Sequence, residues 1–243
     1  MYKTYFNWSS GKDSSLALYK ILQDPTYEIS TFITTVNSDY NRVSMHGLRI
    51  ALLEQQVQSL GFSLHQIEFP AQVTMEAYSD KMRSEVTRLK EDGYTHGVFG
   101  DIFLEDLRAY RDKQLAGVGI KGVYPLWKKD TKTLLKEFIA AGFKAITVCV
   151  NATYLDEHFC GRVIDESFIE DLPETVDVCG ENGEFHTFVY DGPLFKNPIP
   201  FTIGEKVLRG YNRSDNDADN CFTDEEDQRS WDTAFWYCDL LPK

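Results

Sequence analysis

Along the first half of the chain, short apolar runs alternate with stretches whose hydrophobic positions recur at helical spacing. "YKTYFNW" (2–8) and "EISTFITTV" (28–36) read as strands, rich in Thr, Ile, Tyr and Phe. Between them Leu16, Leu18, Ile21 and Leu22 fall near one face of a helix. "MHGLRIALLEQQVQSLG" (45–61) predicts an amphipathic helix burying Leu48, Ala51, Leu52, Gln55, Val57 and Leu60, stopped by Gly61. "FSLHQIEF" (62–69) alternates as a strand, 75–93 returns to helical spacing, and "THGVFGDI" (95–102) predicts a short buried strand. A charged helix over 104–119 leads to a fifth strand, "KGVYPLW" (121–127). Strands separated by helices imply βαβ crossovers and hence a parallel sheet.

Beyond Trp127 the alternation loosens. "DTKTLLKEFIAAG" (130–142) predicts a helix capped by Asp130, and "FKAITVCV" (143–150) a strand. Gly, Pro and loop residues follow, densest in "GENGEFHTFVYDGP" (180–193), before "WDTAFWYCDLL" (231–241) recovers a strand pattern that rejoins the core. The expected division is 1–127 and 128–243, with no internal repeat.

Composition narrows the class. At 243 residues and 42% hydrophobic, the chain can bury a sizeable core. Its net charge is −13, but seven of the acids lie in 215–228, a segment without Lys or Arg that reads as solvated or disordered; the remainder carries −6. That balance disfavours binding to duplex nucleic acid. Five cysteines, an odd number without a C-x-x-C pair, give neither a disulfide framework nor a zinc ribbon and read as reduced thiols. No apolar run approaches the length of a membrane span, and the first residues lack a basic, then apolar, leader. The expectation is a cytoplasmic protein with no membrane partner.

The chemistry concentrates at "WSSGKDSS" (8–15), where the first strand hands over to a helix. A Walker loop is excluded, because Phe6 stands where that motif needs Gly and Asp13 where it needs Ser or Thr. Ser9, Ser10 and Ser14 supply hydroxyls, Gly11 permits close backbone approach, Lys12 carries a positive charge, and helix N-terminal amides follow. The set suits a pyrophosphate. An ordinary turn capped by Asp13 or Ser14 remains the alternative on these residues alone.

This stretch resembles the S-G-G-K-D-S signature of the PP-loop ATP pyrophosphatases, with Ser10 in place of the first Gly, so that Ser10 must adopt a backbone geometry Gly usually fills or the turn must tolerate a side chain. "HGLRIALLEQQVQSLG", "VFGDIFLEDLRAYRD", "YPLWKKDTKTLLKEFIAAGFKAITVCV" and "GENGEFHTFVYDGPLF" are similar to the diphthine–ammonia ligase branch of that superfamily, in the family's order, up to about Phe195. The resemblance implies an adenine nucleotide α-hydrolase-like fold: a five-stranded parallel sheet with helices on both faces, followed by a smaller α+β domain over the substrate side.

It implies further that Ser9, Ser10, Gly11, Lys12, Asp13 and Ser14 bind the phosphates of ATP, with Lys12 offsetting charge as pyrophosphate leaves. Gly100 and Asp101 end the fourth strand; Asp101 reads as a ligand for magnesium or as a helix cap. Glu181, Asn182 and Glu184 are the candidates for the acyl-acceptor side, binding ammonia or accepting its proton. His46 and His186 read as structural or solvated rather than as acid/base groups, His158 and Cys160 as too sparse for zinc, and Arg108 and Arg111 as partners of Asp112 or Glu105.

The implied reaction is adenylation of a substrate carboxylate with release of pyrophosphate, then displacement of AMP by ammonia. The implied carboxylate is diphthine on elongation factor 2; a homodimer is implied only at the level of the family. A small-molecule carboxylate, a nucleotide sensor without turnover and base thiolation stay open as alternatives.

Overall fold

The computed structural model describes residues 1–44, 46–211 and 233–243. The acidic segment 215–228 lies outside the described residues. Strands β1 (Tyr2–Asn7), β2 (Tyr27–Asn37), β4 (Ser63–Phe69), β5 (His96–Val98) and β6 (Lys121–Val123) form one parallel sheet in the order β4-β2-β1-β5-β6. A two-residue strand, β3 (Arg42–Val43), folds back antiparallel on the end of β2.

Alternation along the strands gives the sheet a core on each face. Phe6, Trp8 and Phe32 pack with Leu16 and Leu18 of α1 (Lys12–Ile21) and with Leu52 and Leu53 of α2 (Ile50–Leu60). Tyr5, Ile33 and Ile67 point the other way, onto Val86 and Leu89 of α3 (Met75–Glu91) and Leu115 of α4 (Glu105–Gly117). The expected five-stranded parallel sheet with helices on both faces is present. Gly97 in β5 has no room for a side chain, since a Cβ there would stand 2.5 Å from the buried ring of Tyr5.

Three local expectations need correction. The helix predicted from residue 45 begins at Ile50, because Arg42 and Val43 form β3 and Arg49 bridges back to Arg42. Its buried face carries Leu53 and Gln56 rather than Ala51 and Gln55. The strands predicted over 95–102 and 121–127 are only three residues long, their remaining residues forming loops at the carboxyl edge of the sheet.

A second, antiparallel sheet follows α5 (Thr131–Ala140), whose N-cap Asp130 accepts from Thr133 N at 2.8 Å as expected. Its order is β8-β7-β10-β9, from β7 (Lys144–Asn151), β8 (Phe185–Asp191), β9 (Phe201–Tyr211) and β10 (Thr233–Pro242), with a short helix α6 (Glu166–Asp171) before β8. The strand pattern read near the C-terminus is β10, and it does rejoin the core. Phe143, Ile146, Val148 and Phe188 belong to the same hydrophobic cluster as Phe6 and Trp8, so the two sheets share one core. Among the described residues no helix is long and apolar enough to cross a membrane.

Candidate active site

In the parallel sheet the strand order reverses between β1 and β5, and ligands of open α/β sheets bind outside the carboxyl ends of the strands at such a switch point. Two loops leave the sheet there: Trp8–Gly11 after β1, and Phe99–Leu104 after β5.

The first loop turns through Ser10, whose φ of 68° is the left-handed conformation expected of Gly, with its side chain buried. Its carbonyl accepts from Gln56 Nε2 and from Val189 N of β8, both at 3.0 Å. Gln56 uses its whole amide: Nε2 also donates to Val189 O at 2.6 Å, and Oε1 accepts from the Trp8 indole at 2.8 Å. A fully buried amide is tolerated in an apolar helix face because none of its hydrogen-bonding capacity is left unpaired. Sequence reasoning placed the neighbouring Gln55 on that face; the available signal was that Gln56 lies four residues from both Leu52 and Leu60.

Helix α1 starts at Lys12 with no side-chain cap, so the alternative of a turn capped by Asp13 or Ser14 is not what forms. Ser14 Oγ instead meets Ser9 Oγ at 2.7 Å, and Lys12 N donates to Thr187 Oγ1 at 3.0 Å. Two glycines let neighbouring chain close in. A Cβ on Gly11 would lie 3.2 Å from Thr187 O, and one on Gly100 would lie 3.1 Å from Ser14 N. Gly100 therefore seats the post-β5 loop on the first turn of α1, where the positive end of the helix favours an anion.

The Lys12 side chain is almost fully enclosed, its Nζ donating to Asp13 Oδ2 at 2.8 Å and to the Cys179 carbonyl. Burial works against its charge, yet Asp13, joined by Cys179 and Glu181, outweighs this and holds the lysine above its ordinary pKa. Lys12 is a fixed cation.

The loop 177–184 is wired to itself and to both flanks. The Glu184 carboxylate is buried and accepts from Asp177 N (3.0 Å), Asn182 N (2.9 Å) and Asn182 Nδ2 (3.1 Å). Asp177 accepts from Cys179 N at 3.0 Å, Glu181 N at 3.3 Å and the Thr131 hydroxyl at 2.8 Å. Glu181 reaches the other loop, accepting from Ile102 N at 2.7 Å and Phe103 N at 3.3 Å. Burial first, and then Asp13, push its carboxyl up to about 7, against the pull of those amides and Lys12. Of the three acceptor-side candidates, Glu184 thus shapes the loop, Asn182 is committed to Glu184 through its amide, and Glu181 can exchange a proton near neutrality.

Asp101, read as a magnesium ligand or a helix cap, takes the guanidinium of Arg111, which lies 4.4 Å over the Phe99 ring, and α4 starts after Leu104 with no side-chain cap. Among the described residues no group of three His, Cys, Asp or Glu side chains converges to hold a metal ion. The donors around Asp101 do not make a protein-built magnesium site, because its carboxylate is already neutralised by the Arg111 guanidinium and Glu181 beside it is taken by the amides of Ile102 and Phe103. Arg108 pairs with Asp112 at 3.4 Å as expected and stacks over Tyr124 and Trp127; Glu105 pairs with Lys128 at 2.6 Å. His46 and His186, read as structural or solvated, come together beside Gly11 with their rings stacked at 4.7 Å. His158 pairs with Asp156 and is exposed.

Comparison with known proteins gives the family of the chain. The diphthamide synthase N-terminal domain matches residues 2–122 and the diphthamide synthase C-terminal domain matches residues 130–214. Relatives named diphthine–ammonia ligase include those of Danio rerio, 33% identical over 126 residues covering 49% of each chain, and Homo sapiens, 30% identical over 126 residues covering 49% of this chain and 47% of that one. The matched stretch spans about half the length of these curated relatives. A solved structure described as a predicted subunit of tRNA methyltransferase from Methanocaldococcus jannaschii aligns at 18% identity with a TM-score of 0.43, over 79% of this chain and 98% of that one, too slight a likeness to argue from. Two family domains matched in order, one over "SSGKDS" and the other over "GENGEF", mean that the chain belongs to the diphthamide synthase family, in the diphthine–ammonia ligase-like branch of the PP-loop ATP pyrophosphatases.

Proposed function

We propose that the protein is an ATP-dependent amide ligase that adenylates a substrate carboxylate, releases pyrophosphate, and then replaces AMP with ammonia. The observation that carries this reading is the joint between β8 and the phosphate loop: Ser10 O, Lys12 N and Gln56 are all bonded to residues 187–189, one residue beyond "GENGEF". A nucleotide phosphate at the first turn of α1 then lies beside the acid-bearing loop. Activation and amide formation can share one site.

In this reading Ser9, Ser10, Gly11, Asp13 and Ser14 form the cradle, and Lys12 offsets the charge that builds as the α–β bond of ATP breaks. Gly100 brings the second loop close enough to bound the same space. Splitting the reaction through an acyl-adenylate replaces a poor leaving group with AMP. Glu181, poised near neutrality, accepts the proton that the attacking ammonia must lose. Glu184 and Asn182 hold Glu181 in place through the loop. The proposed carboxylate is that of diphthine on elongation factor 2, on the strength of the relatives' names, and free ammonia is the nitrogen source because no glutaminase-like nucleophile motif is evident in the chain.

Adenylation is tested without ammonia by exchange of labelled pyrophosphate into ATP. The expected result is exchange that depends on the carboxylate substrate and is lost in Lys12→Met. Substrate-independent ATP binding without exchange would instead favour a nucleotide sensor.

A further inference from the structure

The turn after β3 is held with unusual completeness for a loop. Arg42 Nη1 donates to Gly47 O at 2.9 Å and to Asp239 Oδ1 at 2.6 Å, and Arg49 grips both oxygens of Asp239 at 3.0 and 2.6 Å. Backbone bonds from Val43 N to Leu48 O (2.8 Å) and from His46 N to Ser44 O (2.8 Å) close the turn. A Cβ on Gly47 would stand 3.1 Å from the Tyr237 ring, so β10 packs directly against it. What this frame presents is the His46 imidazole. Its Cε1 lies 3.4 Å from the Cβ position of Gly11, so the ring edge carrying both nitrogens faces the phosphate loop. The other side of the ring stacks on His186 at 4.7 Å and 20°.

His46 Nδ1 is buried and has no hydrogen-bond partner among the described residues. Buried polar atoms are nearly always paired, so a well-framed ring with an unpaired nitrogen beside an anion cradle calls for a ligand. We propose that the stacked His46–His186 pair is a second anion-binding element of the phosphate loop, donating N–H groups to the polyphosphate of the nucleotide and to pyrophosphate as it leaves. An anion is the favoured class because the same space is bounded by the N-terminus of α1 and by Lys12. This inference rests on the reading of the loop as an ATP site.

Both rings are kept neutral in the free protein. Burial first, then His186 and Lys12, hold His46 well below the ordinary histidine pKa; burial and Lys12 bring His186 down to about 4. Among the described residues, the charged and titratable groups near the pair have partners of their own, and Tyr237 of β10 lies against Gly47 and bonds Cys149. Asp13 on α1 is paired with Lys12, Arg42 and Arg49 are neutralised by Asp239 of β10, Glu181 is bonded to the post-β5 loop, and Cys149, opposite His186 on β7, is pushed up to about 12 and stays a thiol. A bound polyphosphate is then the group that can draw a proton onto the pair, raising its pKa across neutrality.

The test uses the full-length protein with 15N-labelled histidine and inorganic pyrophosphate or ATP as the probe. Saturation at pH 6 is expected to move the His46 and His186 ring nitrogens to protonated, hydrogen-bonded positions. His46→Gln is expected to weaken pyrophosphate binding roughly tenfold at pH 6 and much less at pH 8, the size of one charge-assisted hydrogen bond. Ring signals that stay put when either probe saturates the protein overturn the inference, whether or not the variant folds. Lys12→Met separates the two levels: histidines silent in saturated wild type, together with loss of binding in Lys12→Met, sink the histidine role alone. Failure of wild type to bind ATP or pyrophosphate sinks the ATP reading with it.

Discussion

Ser10 holds a left-handed backbone that costs an L-residue about 1–2 kcal/mol, and it does so with its side chain buried. Gly would relieve that strain but add about 0.5–1 kcal/mol of unfolded-chain entropy, so Ser10→Gly should leave the melting temperature nearly unchanged and ATP binding intact. Ser10→Val, branched at Cβ in the same conformation, should lose about 2 kcal/mol or more and bind ATP poorly; equal behaviour of the two variants would show that the geometry is not required. Glu181 gives the second prediction at this scale. A carboxyl raised to about 7 is protonated below that pH and becomes a proton acceptor above it. Ligation measured at fixed free ammonia should therefore rise through pH 7 in wild type and lose that limb in Glu181→Gln. Ser10 could be named in advance because it stands where the signature this stretch resembles has Gly, the residue that a left-handed turn favours. The division of labour among Glu181, Asn182 and Glu184 could not, since it depends on amides of Asp177, Ile102 and Phe103 that only folding brings near.

Among the elements, α2 does more than cover the sheet. Through Gln56 it ties the end of β1, the phosphate loop and β8 together. Gln56→Leu fills a similar space but leaves the Trp8 indole and the Val189 carbonyl without partners, at about 1–3 kcal/mol for each buried group. The expected result is a clear fall in melting temperature together with weaker ATP binding. A variant that melts earlier but binds ATP normally would remove Gln56 from the site. The five parallel strands and the helices between them were legible from period alone, since two-residue and 3.6-residue repeats each follow from burial of one face. What period could not show was β3 and its turn, which are fixed by pairing with β2 and by Arg42 and Arg49 reaching Asp239, some 190 residues away in sequence. The same blindness hid the nearness of His46 to His186.

For the molecule as a whole, the two sheets meet over one shared core, and the candidate site is the seam between them. Neither half holds a complete set: the cradle and Lys12 come from the first, while Thr187, the Cys179 carbonyl and the acidic loop come from the second. This arrangement explains why "SSGKDS" alone left a capped turn open and why the motif after residue 180 sharpened it. The central claim is that ATP is cut between its α and β phosphates to drive amide formation on a carboxylate. The most direct measurement supplies diphthine-bearing elongation factor 2, ammonium and ATP labelled at the α-phosphate, and follows the labelled product. The account predicts AMP and pyrophosphate in step with conversion of the carboxylate to the amide, all lost in Lys12→Met; ADP as the labelled product, or AMP formed with no amide, would contradict it.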